Sequence, residues 1–140
     1  MHECDDLPRS EFAFPGPLRD RLVSAILNGS KTSTTSTAAE YEKEEEPFPQ
    51  IGVRQVVIDS DGRAVAVIET TTVQRVRLAL VPWSHARDEG EGYSSVAEWR
   101  AGHEPFWHSK GMRNSLGDPF FTVDDNTMIV LEGFRVISLL

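Results

Sequence analysis

The sequence predicts an α+β domain: a small, mostly antiparallel β-barrel flanked by short helices. Three observations carry that expectation. From Ile51 onward, runs of β-branched and small residues are separated by turn residues, as in strands joined by hairpins. The helical segments are short and do not alternate with strands, as they would in a doubly wound sheet. The strands are also too few and too irregular for a sandwich, so a small barrel is the simplest closure.

The elements follow in chain order. At 140 residues the chain is read as one domain spanning 1–140. Its first dozen residues, 1–12, are acidic and irregular and read as a loose tail. Pro15-Gly16-Pro17 is a turn, and Pro17 suits the first position of a helix. Leu18, Leu22 and Ile26 recur four apart, so one face of that helix is apolar, with Arg19, Asp20 and Arg21 outward. Gly29 stands where the helix should stop, because glycine takes the left-handed C′ conformation at no steric cost. The charge run Glu40–Glu46, closed by Pro47, reads as a solvated face or loop.

Strands are expected over Ile51–Ile58, Arg63–Val73 and Val76–Val81, with Asp59-Ser60-Asp61-Gly62 as a hairpin turn. A short helix is expected over Ser84–Asp88, then a flexible link at Gly90-Glu91-Gly92. Ser95 and Glu98 form a capping box, so a helix begins near Val96, and Pro105 should end or kink it. Gly111–Pro119 reads as loop. Phe120–Val123 and Met128–Leu139 read as strands, with a bulge at Gly133.

Charge narrows the function. Net charge is −8, from 22 acidic and 14 basic residues. Proteins that grip long nucleic acids normally carry a basic footprint, because neutralising phosphates supplies most of the affinity. A small, weakly charged ligand therefore fits the balance better than a long nucleic acid such as a DNA duplex. The lone Cys4 excludes an internal disulfide. No signal-peptide pattern opens the chain, and no apolar run nears the roughly 20 residues that span a bilayer. A cytoplasmic protein without membrane contact is the expectation.

One stretch carries chemistry. In Gly29-Ser30-Lys31-Thr32-Ser33-Thr34, an amine and a hydroxyl are held close to a helix end. An amine beside a hydroxyl is a minimal base-plus-nucleophile arrangement. The segment resembles the Gly-x-Lys-x-x-Thr signature of ASCH domains, a branch of the PUA-like barrels. A second block resembles the longer, stand-alone bacterial members: His85-Ala86-Arg87-Asp88-Glu89-Gly90-Glu91-Gly92, followed by Ser95–Arg100 and His103. The resemblance spans most of the chain and implies the same barrel.

The resemblance also implies an activity. Similar family members include amidohydrolases that remove acyl groups from N4-acetylcytidine, so the partner the resemblance implies is a small nucleoside or a modified RNA nucleotide. Their lysine, threonine and glutamate match Lys31, Thr34 and Glu89 here, which makes these the candidate catalytic residues. One departure is Ser36, where the family often has an arginine. An amide is a poor electrophile, so its hydrolysis needs an activated nucleophile and a stabilised oxyanion. Thr34 is the candidate nucleophile. Lys31 serves as its base only if burial brings its pKa below the free value of about 10.4. Glu89 either holds the lysine or shuttles a proton.

The candidates for substrate contact are Ser33, Glu69, Tyr41 and Trp83. Glu69 lies between Ile68 and Thr70 in a strand, either pointing inward as a base-edge acceptor or facing water. Tyr41 is a candidate acid or stacking group. Trp83, Trp99, Phe106 and Trp107 either stack on a nucleobase or fill the core. The spacing of His85, His103 and His108 does not describe a zinc site, and no metal or cofactor is expected. The same fold supports two rival readings: an ASCH-type ribonuclease and a non-catalytic RNA-binding module.

Overall fold

The computed structural model describes residues 6–140. Cys4 lies outside them. Among the described residues the fold is α+β: one five-stranded sheet and five α-helices. The strands are β1 (Arg9–Ser10), β2 (Ser33–Thr37), β3 (Arg54–Ile58), β4 (Ala64–Arg77) and β5 (Met128–Leu139). The helices are α1 (Pro17–Asn28), α2 (Ala38–Glu44), α3 (Trp83–Asp88), α4 (Val96–Trp107) and α5 (Lys110–Leu116).

The sheet order is β1-β3-β4-β5-β2. Only β1 and β3 pair in parallel; the other neighbours are antiparallel. The expected barrel does not close, since β1 and β2 stand at opposite edges of the ladder. The reason lies in edge length and cover. Strand β1 has two residues, and the chain entering β2 is already engaged by the end of α3, where Thr32 N donates to Asp88 O at 2.8 Å.

The longest pairing joins β4 to β5, from Ala66↔Leu139 to Arg77↔Met128. Two register shifts interrupt it, after Val67 and between Thr70 and Thr72. Gly133 faces the second shift, but the extra residue, Thr71, belongs to β4. Such bulges bend a strand and raise its twist. This single strand replaces the two expected over 63–81, and Leu78–Leu80 follow as one 3₁₀ turn.

Several local expectations change once the chain packs. Within the stretch read as tail, Arg9 and Ser10 pair with β3 and Phe12 is buried. Arg19, read as outward, is buried and donates to the carbonyls of Phe12 (3.2 Å) and Ala13 (2.7 Å). It thereby clamps the entering segment to α1. The charge run opens as helix α2, because Thr37 and Glu40 form a capping box. Helix α4 continues through Pro105 to Trp107. Most of the stretch Gly111–Pro119, read as loop, belongs to α5, which is capped by Ser109. Phe120–Val123 is not a strand, and Phe120 is exposed.

Apolar burial is divided. Leu78, Ala86, Trp99, Trp107, Ile129 and Leu131 pack α3 and α4 against the sheet. Phe12, Val23, Ile26, Val57, Ile68 and Phe134 pack α1 against it. The segment from Gly29 to Thr37 passes between these clusters along the sheet edge, and this position creates the site. No helix among the described residues is long and apolar enough to cross a membrane.

Candidate active site

Helix α1 stops where glycine predicts: Gly29 has φ 88° and its N–H returns to Ile26 O. The turn sends Lys31 inward, leaving it 2 % exposed. Helix α3 delivers Glu89 to the same place, also 2 % exposed. Lys31 Nζ lies 3.6 Å from Glu89 Oε1 and donates to Ser33 O at 2.8 Å. The two motifs meet through backbone as well. Gly90 has φ 71°, and a Cβ there would collide with the carbonyl oxygen of Ser30. Only glycine permits this approach, so Gly90 is a packing contact and not merely a flexible link.

Glu89 is the centre of the network. Its Oε2 accepts from Thr35 Oγ1 (2.7 Å) and Trp99 Nε1 (2.7 Å), and its Oε1 faces His103 Nε2 at 3.0 Å. Burial pushes this carboxyl toward the neutral form, but hydrogen bonds from His103 and His85 and the Lys31 charge overcome it. Together they hold Glu89 well below the usual carboxylate range. The hydroxyl of Thr35 has one proton, and it goes to Glu89. The Nε2 of His85, 2.7 Å from the same Oγ1, must therefore be the donor to it.

His103 is charged by its surroundings. Its Nδ1 faces the carbonyl of Trp99 at 2.8 Å, and a carbonyl only accepts, so Nδ1 carries a proton. Its Nε2 faces an ionised carboxylate, so it carries one too. Burial opposes this charge, but the Glu89 hydrogen bond and the nearby carboxylates raise the His103 pKa. Glu91 Oε2 lies 3.7 Å from the same nitrogen. Burial raises the Glu91 pKa, and the Glu89 charge adds to the effect. Ligand atoms of Glu89, Glu91 and His103 lie within 4.8 Å of one another, a spacing that could hold a cation. Here Lys31 supplies the positive charge, and both nitrogens of His103 are committed as donors.

These groups border a cleft of about 860 Å³. Its lining is acidic: Glu11, Glu40, Glu44, Glu46, Glu89, Glu91 and Glu132 outnumber Arg9, Arg19, Arg21 and Lys31. Thr34 also borders it. Successive residues of a strand point to opposite faces, so Thr34 and Thr35 diverge. Thr35 meets Glu89, whereas the Thr34 hydroxyl has no hydrogen-bond partner among the described residues.

The remaining candidates scatter. Ser33 is buried and donates to His85 O at 2.9 Å, which fixes β2 to α3. Tyr41 lines the cleft, and burial pushes its hydroxyl up to about 12. Glu69 does not point inward. It bridges Arg54 (3.1 Å) and Arg135 (3.0 Å) on the outer face of the sheet, and the Arg54 hydrogen bond leads in lowering its pKa. Trp83 is 39 % exposed at the start of α3 and does not line the cleft. Trp99 and Trp107 are core residues, although Trp107 and Phe106 edge the cleft. Sequence reasoning missed Thr35, Glu91 and the roles of His85, Trp99 and His103. The available signal was the four-residue spacings of His85 with Glu89 and Trp99 with His103, each one helical turn.

The fold and this two-motif site define an ASCH domain. The chain belongs to the ASCH domain family, whose model matches residues 11–138. Among solved structures it is similar to protein EF3133 from Enterococcus faecalis V583, with 25 % identity and a TM-score of 0.80. That match covers 94 % of this chain and 77 % of the other. It is also similar to an ASCH domain from Lactobacillus crispatus JV V101, at 30 % identity and TM-score 0.74, covering 92 % and 79 %. A mutant form of ZmASCH from Zymomonas mobilis shares the fold at 11 % identity and TM-score 0.52, covering 93 % and 71 %. No curated protein matches the chain.

Proposed function

We propose that this protein is an amidohydrolase that removes the acyl group from N4-acylated cytosine nucleosides. The observation that carries this reading is the buried Lys31–Glu89 pair at a cleft that also presents the unengaged hydroxyl of Thr34. Lys31 is charged in the resting pair, so its ammonium proton first leaves to cleft water; Thr34 Oγ1 then attacks the acyl carbon while its own proton passes, through one water, to the Lys31 amine. The tetrahedral intermediate collapses as the C–N4 bond breaks and N4 takes a proton, and water then hydrolyses the threonyl ester. Glu89 is a poor proton shuttle, because both its oxygens already accept hydrogen bonds. Its role is to hold Lys31. Glu91, which borders the cleft and keeps its proton more readily, is the better acid for the departing amine.

The acidic lining favours a neutral nucleoside over a polyanion, so the ribonuclease and RNA-binding readings come second. The test is incubation of the purified protein with N4-acetylcytidine and, separately, with single-stranded RNA. Cytidine and acetate should form, and RNA should stay intact and bind weakly at physiological salt. Lys31→Arg should abolish turnover, since a guanidinium stays protonated. Wild-type turnover in that variant would leave lysine only a fixed charge. RNA cleavage without deacylation would put the ribonuclease reading first.

A further inference from the structure

We propose that Glu132 is the residue that selects cytosine, its free carboxylate oxygen accepting a hydrogen bond from the N4–H of the base. This inference rests on the amidohydrolase reading above. Glu132 lies on β5 directly opposite Thr34 in the antiparallel ladder. Side chains so placed have their Cβ atoms about 4.5–5.5 Å apart on one face of the sheet. Glu132 is 8 % exposed and lines the cleft. Its Oε2 accepts from Thr70 Oγ1 at 2.7 Å, which fixes the carboxyl plane.

The other oxygen, Oε1, has no hydrogen-bond partner among the described residues. No fully buried side-chain oxygen or nitrogen in the described residues lacks a partner. Oε1 therefore retains access to the cleft. A carboxyl buried this deeply needs a donor, and none is supplied from the protein to this oxygen. Burial raises the Glu132 pKa despite the Thr70 bond, and a donor supplied by the base would oppose that shift by favouring the carboxylate.

The cytosine edge supplies what is missing. Its exocyclic N4–H is a donor that a glutamate accepts, whereas uracil presents the O4 acceptor at the same place. Oxygen would then face oxygen, and uracil is rejected. The geometry serves the reaction as well. In an N4-acylated base the acyl carbon is bonded to N4 itself. Anchoring N4–H at Glu132 therefore sets the acyl carbon beside the residue opposite, Thr34.

The test separates recognition from chemistry. Cytidine and uridine are titrated into the protein calorimetrically, and kinetics on N4-acetylcytidine are measured in parallel. Wild type should prefer cytidine at least about fivefold, the low end for one base-edge contact. Glu132→Leu, which removes a buried carboxyl and should fold, should lose that preference and lower kcat/KM for N4-acetylcytidine at least about fivefold. Equal binding of cytidine and uridine by wild type overturns the assignment, whatever the variant does. So does an unchanged preference in Glu132→Leu. If wild type prefers cytidine through Glu132 but does not hydrolyse N4-acetylcytidine, the assignment stands and the amidohydrolase reading falls. Hydrolysis without base preference leaves that reading intact and removes only Glu132.

Discussion

Replacing Glu89 with glutamine tests whether charge, and not shape, organises the site. The amide would keep the size of the side chain and could still accept from Thr35 or Trp99. It would leave the Lys31 ammonium, 2 % exposed, without its counter-charge at 3.6 Å, and His103 without its carboxylate at 3.0 Å. Removing one partner of a buried ion pair costs about 3–5 kcal/mol, because the other charge stays desolvated. Against a total stability of roughly 5–15 kcal/mol, that is a large fraction. At roughly 3–5 °C per kcal/mol for a domain of this size, Tm should fall by about 10–20 °C in a calorimetric scan. Lys31→Met should also destabilise, and the double variant should be less damaged than the two losses added, by about 0.5–3 kcal/mol. A Glu89→Gln protein that melts within about 2 °C of wild type, or strict additivity in the cycle, refutes the charge-pair account.

Four further outcomes can be checked. Thr34→Ala should abolish deacylation while its melting temperature stays near wild type, whereas Thr35→Val should destabilise by about 1–3 kcal/mol by leaving a buried donor and acceptor unpaired; calorimetry and steady-state kinetics separate the two. Gly90→Ala should lower both Tm and turnover, since φ 71° and the Ser30 carbonyl leave no room for a methyl group. Glu69→Gln should leave kinetics unchanged, because its Arg54 and Arg135 partners lie outside the cleft. Stability should also follow pH through this cluster. The Glu89 pKa is depressed, so its contribution is present above its ordinary 4.5 and disappears as pH falls through the folded value. The His103 pKa is raised, so its contribution is complete below 6.5 and disappears as pH rises through the folded value. His103→Gln should therefore flatten the alkaline side of a Tm-against-pH curve.

Much of the local structure was legible because its causes are local. Pro17 and Gly29 bracket α1 through backbone geometry, and Ser95 with Glu98 starts α4 by capping. Strand β5 matches its expected span residue for residue, since β-branched residues between turn signals need no distant partner to be recognised. Where the reading missed, a tertiary contact had overridden a local signal. Arg19 looks like a surface charge, but two backbone carbonyls of the incoming segment bury it. Pro105 looks like a stop, but it lies two residues before the buried Trp107, and α4 runs on to place that side chain in the core. The barrel was a closure argument with no edge information behind it, and the edges are decided by how α3 meets the chain at Thr32.

The site divides in the same way. Membership in the ASCH family, and the prominence of Lys31 and Glu89, follow from short motifs whose residues stand at fixed spacing in the chain. Sequence by itself determined those. Which hydroxyl meets the glutamate did not follow, because Thr34 and Thr35 differ only in the face of β2 they occupy, and that face is set by pairing with β5. Nor did the ionisation of His103, which depends on a carbonyl one turn back and a carboxylate fourteen residues away. Charge states and hydrogen-bond partners are properties of an enclosed volume. Only the packed chain, by excluding water and bringing residues 31, 35, 89, 99 and 103 together, decides them.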